Sequence, residues 1–171
     1  MRIVGGKFAG GDLVSPNDFR VRPTAEHVRA VMLDRLAAVV KGARVLDLFA
    51  GTGALGLEAL SRGAASADFV ETRASSLHAL KANIGLLRFA KRTRVFKKDA
   101  LRFAAALREA SYDIAFVDPP YESRMLDRVI EGWQVTRFAR ILVVEHASTH
   151  QLPRGARPQR FEETSVSFYG L

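Results

Sequence analysis

The chain has 171 residues, 48% apolar and 26% charged, which suffices for one soluble domain with a real core, and no apolar run approaches a membrane span. It has no cysteine, which excludes disulfides and thiolate metal sites, and His27, His78, His146 and His150 follow no metal-ligand spacing, so no metal is expected. A formal net charge of +8 favours polyanionic partners, and Arg88, Lys91, Arg92, Arg94, Lys97 and Lys98 form a basic run without an acid. At the N-terminus, "RIVGGKF" and "DLVS" flank Ala9-Gly10-Gly11 and predict a short β-hairpin. The link "SPNDFRVRPT" leads to Thr24, a candidate cap for a helix carrying Val28, Val31, Met32, Leu36 and Val39 and stopped by Gly42.

Strands and helices then alternate. Strands are predicted at 44–49, 67–71, 94–97, 112–118 and 140–146. Helices are predicted at 54–63 (stopped by Gly63), 73–89, 100–109 and near 123–132. The tail "PQRFEETSVSFYG" alternates like a closing antiparallel pair around Glu163-Thr164. This order predicts an α/β fold: a doubly wound, Rossmann-like parallel sheet over residues 21–171, preceded by a hairpin extension over 1–20. Such sheets bind ligands beyond the carboxyl ends of their strands, where the strand order reverses.

Gly51-Thr52-Gly53-Ala54-Leu55-Gly56 lies between the first of these strands and its helix, a G-x-G-x-x-G pattern that permits a tight turn and close approach of a ligand. Glu71, at the end of the second strand, can accept both hydroxyls of a ribose. Up to this point a nicotinamide enzyme and a nucleotide-like methyl donor fit equally. Asp47 separates them, because a carboxylate just before the loop repels a diphosphate and suits a cationic amino-acid moiety. An alternative for Asp47 is purely structural, as an anchor of the glycine loop. Asp99 follows the third strand and can accept from an adenine amine, and 171 residues leave no room for a dehydrogenase's substrate domain. S-adenosylmethionine, with its ribose, adenine, ammonium and sulfonium, satisfies all of these features.

"VLDLFAGTGALGLEALSRGA", "VE" at 70–71, Asn83 and "FVDPPY" resemble the RsmD-type methyltransferases, and so do "RIVGGKFAG", "RPT" and "FEETSVSFYG". The resemblance covers nearly the whole chain. It implies a class I methyltransferase sheet and methyl transfer to the exocyclic N2 of a guanine in small-subunit (16S) ribosomal RNA, free or in an assembling subunit. Donor contacts are expected from Asp47, Ala50, Gly51, Gly53, Glu71, Asp99 and Ala100, and the basic residues Arg2, Lys7, Arg22, Lys97 and Lys98 are the candidate RNA contacts. A monomeric, cytoplasmic enzyme is expected. The chain departs from the family in two places: Ala9, Gly10, Gly11 and Asp12 replace the usual basic residues of the hairpin, and Thr72-Arg73-Ala74 lacks an acid.

The catalytic reading centres on Asp118-Pro119-Pro120-Tyr121, which closes the buried run "YDIAFV". Two prolines cannot continue a strand, so the bland alternative is a simple loop. The chemical alternative is sharper. A purine's exocyclic amine is a poor nucleophile because its lone pair is delocalised. Two fixed acceptors, the Asp118 carboxylate and the Pro119 carbonyl made rigid by Pro120, can hold both N–H groups and turn the lone pair outward. Tyr121 can stack on the base. Asp118 or water then takes the released proton. The same acceptor geometry serves DNA adenine-N6 and protein-glutamine methyltransferases. A non-catalytic RNA-binding module is the third reading, and intact Asp118, Gly51, Gly53 and Glu71 speak against it.

Overall fold

The computed structural model describes residues 1–16, 24–120, 124–162 and 164–171. Its centre is a seven-stranded sheet built from β1 (Arg44–Leu48), β2 (Ser66–Val70), β3 (Thr93–Phe96), β4 (Tyr112–Val117), β5 (Ala139–Ala147), β6 (Arg157–Arg160) and β7 (Thr164–Tyr169). The strand order is β3-β2-β1-β4-β5-β7-β6. The first five strands run parallel, and β7 pairs antiparallel with both β5 and β6. The helices are α1 (Glu26–Arg35), α2 (Ala37–Val40), α3 (Ala54–Ser61), α4 (Ala74–Leu86), α5 (Ala100–Ala105) and α6 (Met125–Thr136).

Side chains alternate across the strands, so each strand feeds two cores. Val45, Phe69, Ile114, Phe116 and Val143 face α1 to α4 on one side. Leu46, Leu48, Val70, Ala115, Val117 and Val144 face α5 and α6 on the other. Both faces of the parallel strands are covered, which is why their sequences read as near-continuous apolar runs. The strand order reverses between β1 and β4, whose register sets Leu48 beside Val117. The residues that follow them, the glycine loop and Asp118, therefore share one crevice.

The predicted N-terminal hairpin is present in short form: its arms are joined by the antiparallel Arg2–Asp12 bridge and by main-chain bonds from Ile3 N–H to the Gly11 carbonyl (2.9 Å), Gly10 N–H to the Ile3 carbonyl (2.8 Å) and Leu13 N–H to the Met1 carbonyl (2.8 Å), around a 3₁₀ turn over Gly6–Phe8. Helix α3 anchors it as well: Glu58 accepts from the N–H groups of Val4 (2.8 Å) and Gly5 (2.6 Å), and Ser61 Oγ accepts from Phe8 N–H (2.9 Å). Other local expectations are corrected. The first predicted helix breaks at Leu36 into α1 and α2, which leaves Val39 outward. Ala25, not Thr24, holds the N-cap position, with no side-chain cap. Helix α4 stops at Leu86 and α5 at Ala105, both short of their predicted ends, whereas α6 runs on to Thr136. Trp133 and Phe138 are buried as expected, with Trp133 Nε1–H donating to the Ala139 carbonyl at 2.6 Å.

Candidate active site

Strand β1 hands the chain to α3 through Phe49, Gly51 and Gly53, with φ of 60°, 55° and 80°. Only glycine fits at position 53: a Cβ there would lie 2.3 Å from Leu80 Cδ1. At Gly56 an added Cβ would sit 2.4 Å from Phe69 Cε1, so the last glycine of the pattern lets α3 lie close against β2. Asp47 is buried and accepts the Gly56 N–H at 2.9 Å. This bond matches the structural alternative read from the sequence, with the carboxylate anchoring the first turn of α3. Asp47 also borders the cleft. Burial pushes its pKa up to about 8; the Gly56 bond opposes the rise and the Glu71 charge adds to it.

Glu71 closes the loop from the other side. Its carboxylate accepts from the N–H groups of Gly51 (2.8 Å), Thr72 (2.7 Å) and Arg73 (2.8 Å). Ala50 N–H donates to the Val70 carbonyl at 3.0 Å, which ties the loop to the end of β2. Asn83 is fully buried; its Oδ1 accepts from Val14 N–H (2.7 Å), and its Nδ2 donates to the carbonyls of Val14 and Thr52 (both 3.0 Å). Asp99 caps α5 by accepting Arg102 N–H at 2.9 Å, with Ala100 buried behind it.

Beyond β4, Asp118 is half-buried, Pro119 buried and Pro120 exposed, while Tyr121 lies outside the described residues. Asp118 Oδ2 lies 3.3 Å from Thr24 Oγ1, whose hydroxyl donates at 2.7 Å to Glu145 Oε2. Burial holds the Asp118 carboxyl well above the usual carboxylate range. The Glu145 charge adds to the rise and the Thr24 bond opposes it. A single cleft of about 580 Å³ is bordered by Asp47, Gly51, Glu71, Asp99 and Asp118, and by Thr24 and Glu145. Six of the seven predicted donor residues border it; the seventh, Gly53, shapes the turn into α3.

The predicted RNA-facing residues do not form one group. Arg2 and Lys7 are exposed on the N-terminal hairpin, with Arg2 paired to Glu26 at 3.1 Å. Lys97 and Lys98 are exposed after β3, and Lys98 rims the cleft. Arg22 lies outside the described residues. Two members of the basic run are structural. Arg92 donates to the carbonyls of Ala65 (3.2 Å) and Ala64, and Arg94 holds buried Asp68 through two bonds of 2.9 and 2.5 Å.

Glu145 was missed and Thr24 was read as a helix cap. The signal for Glu145 was available: an acid breaks the apolar run "RILVVEHA" just as Asp47 breaks "RVLDLF". Thr24 gave no comparable signal, because its partners are remote in sequence.

The family model described as "Conserved hypothetical protein 95" matches residues 1–170. Ribosomal RNA small subunit methyltransferase D of Escherichia coli (strain K12) is 39% identical over 138 residues, covering 78% of this chain and 69% of that protein. A Bacillus subtilis (strain 168) protein, YlbH, provisionally named an rRNA methyltransferase, is 32% identical over 99% of this chain and 98% of its own length. Among solved structures, the provisionally named methyltransferase yhhF of Escherichia coli superimposes with a TM-score of 0.84 at 32% identity, over 99% of this chain and 96% of that one.

Proposed function

This chain belongs to the Conserved hypothetical protein 95 family, and on that premise we propose that it methylates the exocyclic N2 of a guanine in small-subunit ribosomal RNA, with S-adenosylmethionine as donor. One observation carries the reading: Asp118-Pro119 and the Asp47–Gly51–Glu71 loop border the same cleft at the point where the strand order reverses. The donor set fits a cationic nucleoside. Its acids are Asp47, Glu71 and Asp99. Bound in this cleft, S-adenosylmethionine supplies a methyl group already activated by its sulfonium. The rest of the chemistry falls to the chain.

Glu71 takes the ribose hydroxyls with the carboxylate that now holds the Gly51 N–H. Gly51 and Ala50 line the approach and Gly53 shapes it, while Asp99 and Ala100 border the base. Asp47 places negative charge behind the loop, and a cationic ligand lowers the cost of ionising it. Asp118 and the Pro119 carbonyl accept the two N–H groups of the guanine amine, Pro120 keeps that carbonyl rigid, and Tyr121 stacks on the base. Asp118 then receives the proton that the methylated amine sheds. Arg2, Lys7, Arg22, Lys97 and Lys98 hold the phosphates of naked RNA or of an assembling subunit in the cytoplasm. No helix among the described residues is long and apolar enough to cross a membrane.

The test is transfer of a labelled methyl group from S-adenosylmethionine to 16S RNA, small subunits, duplex DNA and protein, followed by mass spectrometry of the nucleosides. N2-methylguanosine from the RNA or the subunits is the expected product. Label in N6-methyladenine or methylglutamine would replace this reading with one of its rivals.

A further inference from the structure

We infer that Glu145, acting through the Thr24 hydroxyl, is a positioning residue that sets the orientation and the proton state of Asp118. The inference rests on Asp118 being the amine acceptor proposed above. Strands β4 and β5 are parallel neighbours with Val117 level with Val144, so Asp118 and Glu145 leave the sheet side by side. Glu145 is almost completely buried, at 5% exposure. Thr24 Oγ1 lies between the two carboxylates, 2.7 Å from Glu145 Oε2 and 3.3 Å from Asp118 Oδ2. This bridge is itself fixed. Arg29, fully buried in α1, donates from Nη1 to the Thr24 carbonyl at 3.2 Å, and Thr164 Oγ1 donates to Glu145 Oε1 at 3.3 Å.

Two neighbouring carboxyl groups, one buried and one at the wall of a cleft, do not both ionise cheaply, so the pair shares a proton. The hydroxyl between them decides where it rests. With the proton on Glu145, Thr24 accepts from Glu145 and turns its own hydrogen toward Asp118. Asp118 is then an anion, held from behind and ready for the amine. With the proton on Asp118, that acceptor is lost. No proton is gained or lost in the exchange; it moves through the hydroxyl. Among the described residues, Asp47 on β1 acts on Asp118 and Arg29 on α1 on Glu145, while Glu71 after β2, Lys98 after β3, His27 on α1 and Glu162 ahead of β7 border the same cleft. Of these, Asp47 adds to the repulsion on Asp118, and the Thr24 bond relieves it.

The test is the pH dependence of kcat/KM for the RNA substrate at saturating donor, in variants first shown to be folded and donor-binding. Glu145→Gln keeps an acceptor for Thr24 but removes the neighbouring charge. The acid limb of the profile should move down by about one pH unit. Thr24→Val removes the hydroxyl that favours the Asp118 anion, so the shared proton rests more on Asp118 and the acid limb should move up, and Thr24→Ser should restore it. These opposite shifts would not arise if Glu145 and Thr24 merely supported the fold. An unmoved acid limb in Glu145→Gln, or loss of turnover at every pH, overturns the inference. Should Glu145→Gln fail to fold, the direction of the Thr24→Val shift decides in the same way. Asp118→Asn is measured alongside. If it turns over normally, the amine-acceptor reading falls and this inference with it. If it is dead while the Glu145 and Thr24 profiles stay unmoved, only this inference falls.

Discussion

Glu71 gathers three main-chain N–H groups, of Gly51, Thr72 and Arg73, on one carboxylate. A side chain so placed shapes the cleft and offers a charged acceptor to whatever enters it. Glu71→Ala should weaken S-adenosylmethionine binding by about 1.5–3 kcal/mol, the usual cost of hydrogen bonds to a charged group. Calorimetric titration checks this, and an unchanged Kd would remove Glu71 from the donor site. Asp47 makes a different prediction. Its pKa rises from 3.8 to about 8 on folding, so across that window the folded chain keeps a proton that the unfolded chain has lost. The native state binds more protons, and stability from this group declines as pH rises from about 4 to about 8. Asp118, raised by burial, slopes the same way. Asp47→Asn retains an acceptor for Gly56 N–H but cannot ionise. Its urea midpoint should therefore fall less between those limits than that of the parent. Parallel curves for the two proteins would mean that Asp47 does not carry this proton.

At the scale of elements, the ends of helices show where local rules stop. Gly53 and Gly63 were legible as turn residues because their left-handed backbones, at φ of 80° and 102°, strongly favour glycine. Arg88 and Arg137 adopt the same conformation, at 56° and 49°, with no such mark in the sequence. Arg137 offsets its strain by stacking over the Trp133 ring at 4.0 Å, a contact made by the tertiary structure. The turn between β1 and α3 allows a direct test. Gly53→Ala combines an unfavourable φ with a Cβ 2.3 Å from Leu80 Cδ1. It should cost about 1–3 kcal/mol of stability, by overpacking and backbone strain, and weaken donor binding as the loop shifts. Chemical denaturation and donor titration read the two effects. A fully stable variant with parental affinity would show that the loop can yield at that point.

Across the whole molecule, charge is the dominant long-range feature, at +8 net. Arg92 and Arg94 are spent on carbonyls and on Asp68, so the basic run offers a thinner surface than its composition suggests. Lys91 and Lys97 remain exposed along it. If they follow an RNA backbone, Lys91→Glu with Lys97→Glu should raise the KM for the RNA substrate and flatten the fall of affinity with salt. Counterion release from two fewer contacts sets a slope change of roughly 1.5–2. Donor binding should hold, since neither lysine borders the cleft. An unaltered slope would move RNA recognition to the N-terminal hairpin and to the exposed Arg154, Arg157 and Arg160 near the C-terminus.

What the sequence determined by itself is local or periodic. The β/α alternation, the apolar runs of doubly covered strands, the glycine pattern and the Asp-Pro-Pro stop each depend on residues close in the chain. The reversal of strand order beside Asp118 followed from that alternation. The tertiary structure alone decided the partners of Asp118. Thr24 is 94 residues from it in sequence and 121 from Glu145, and the three meet because β5 lies next to β4 while the segment ahead of α1 crosses their ends. Likewise, the N-terminal hairpin, whose arms pair as the sequence predicts, is anchored by Glu58 and Ser61 on α3, more than fifty residues away. Those side chains take the N–H groups of Val4, Gly5 and Phe8, because every buried main-chain group must find a partner wherever the fold supplies one.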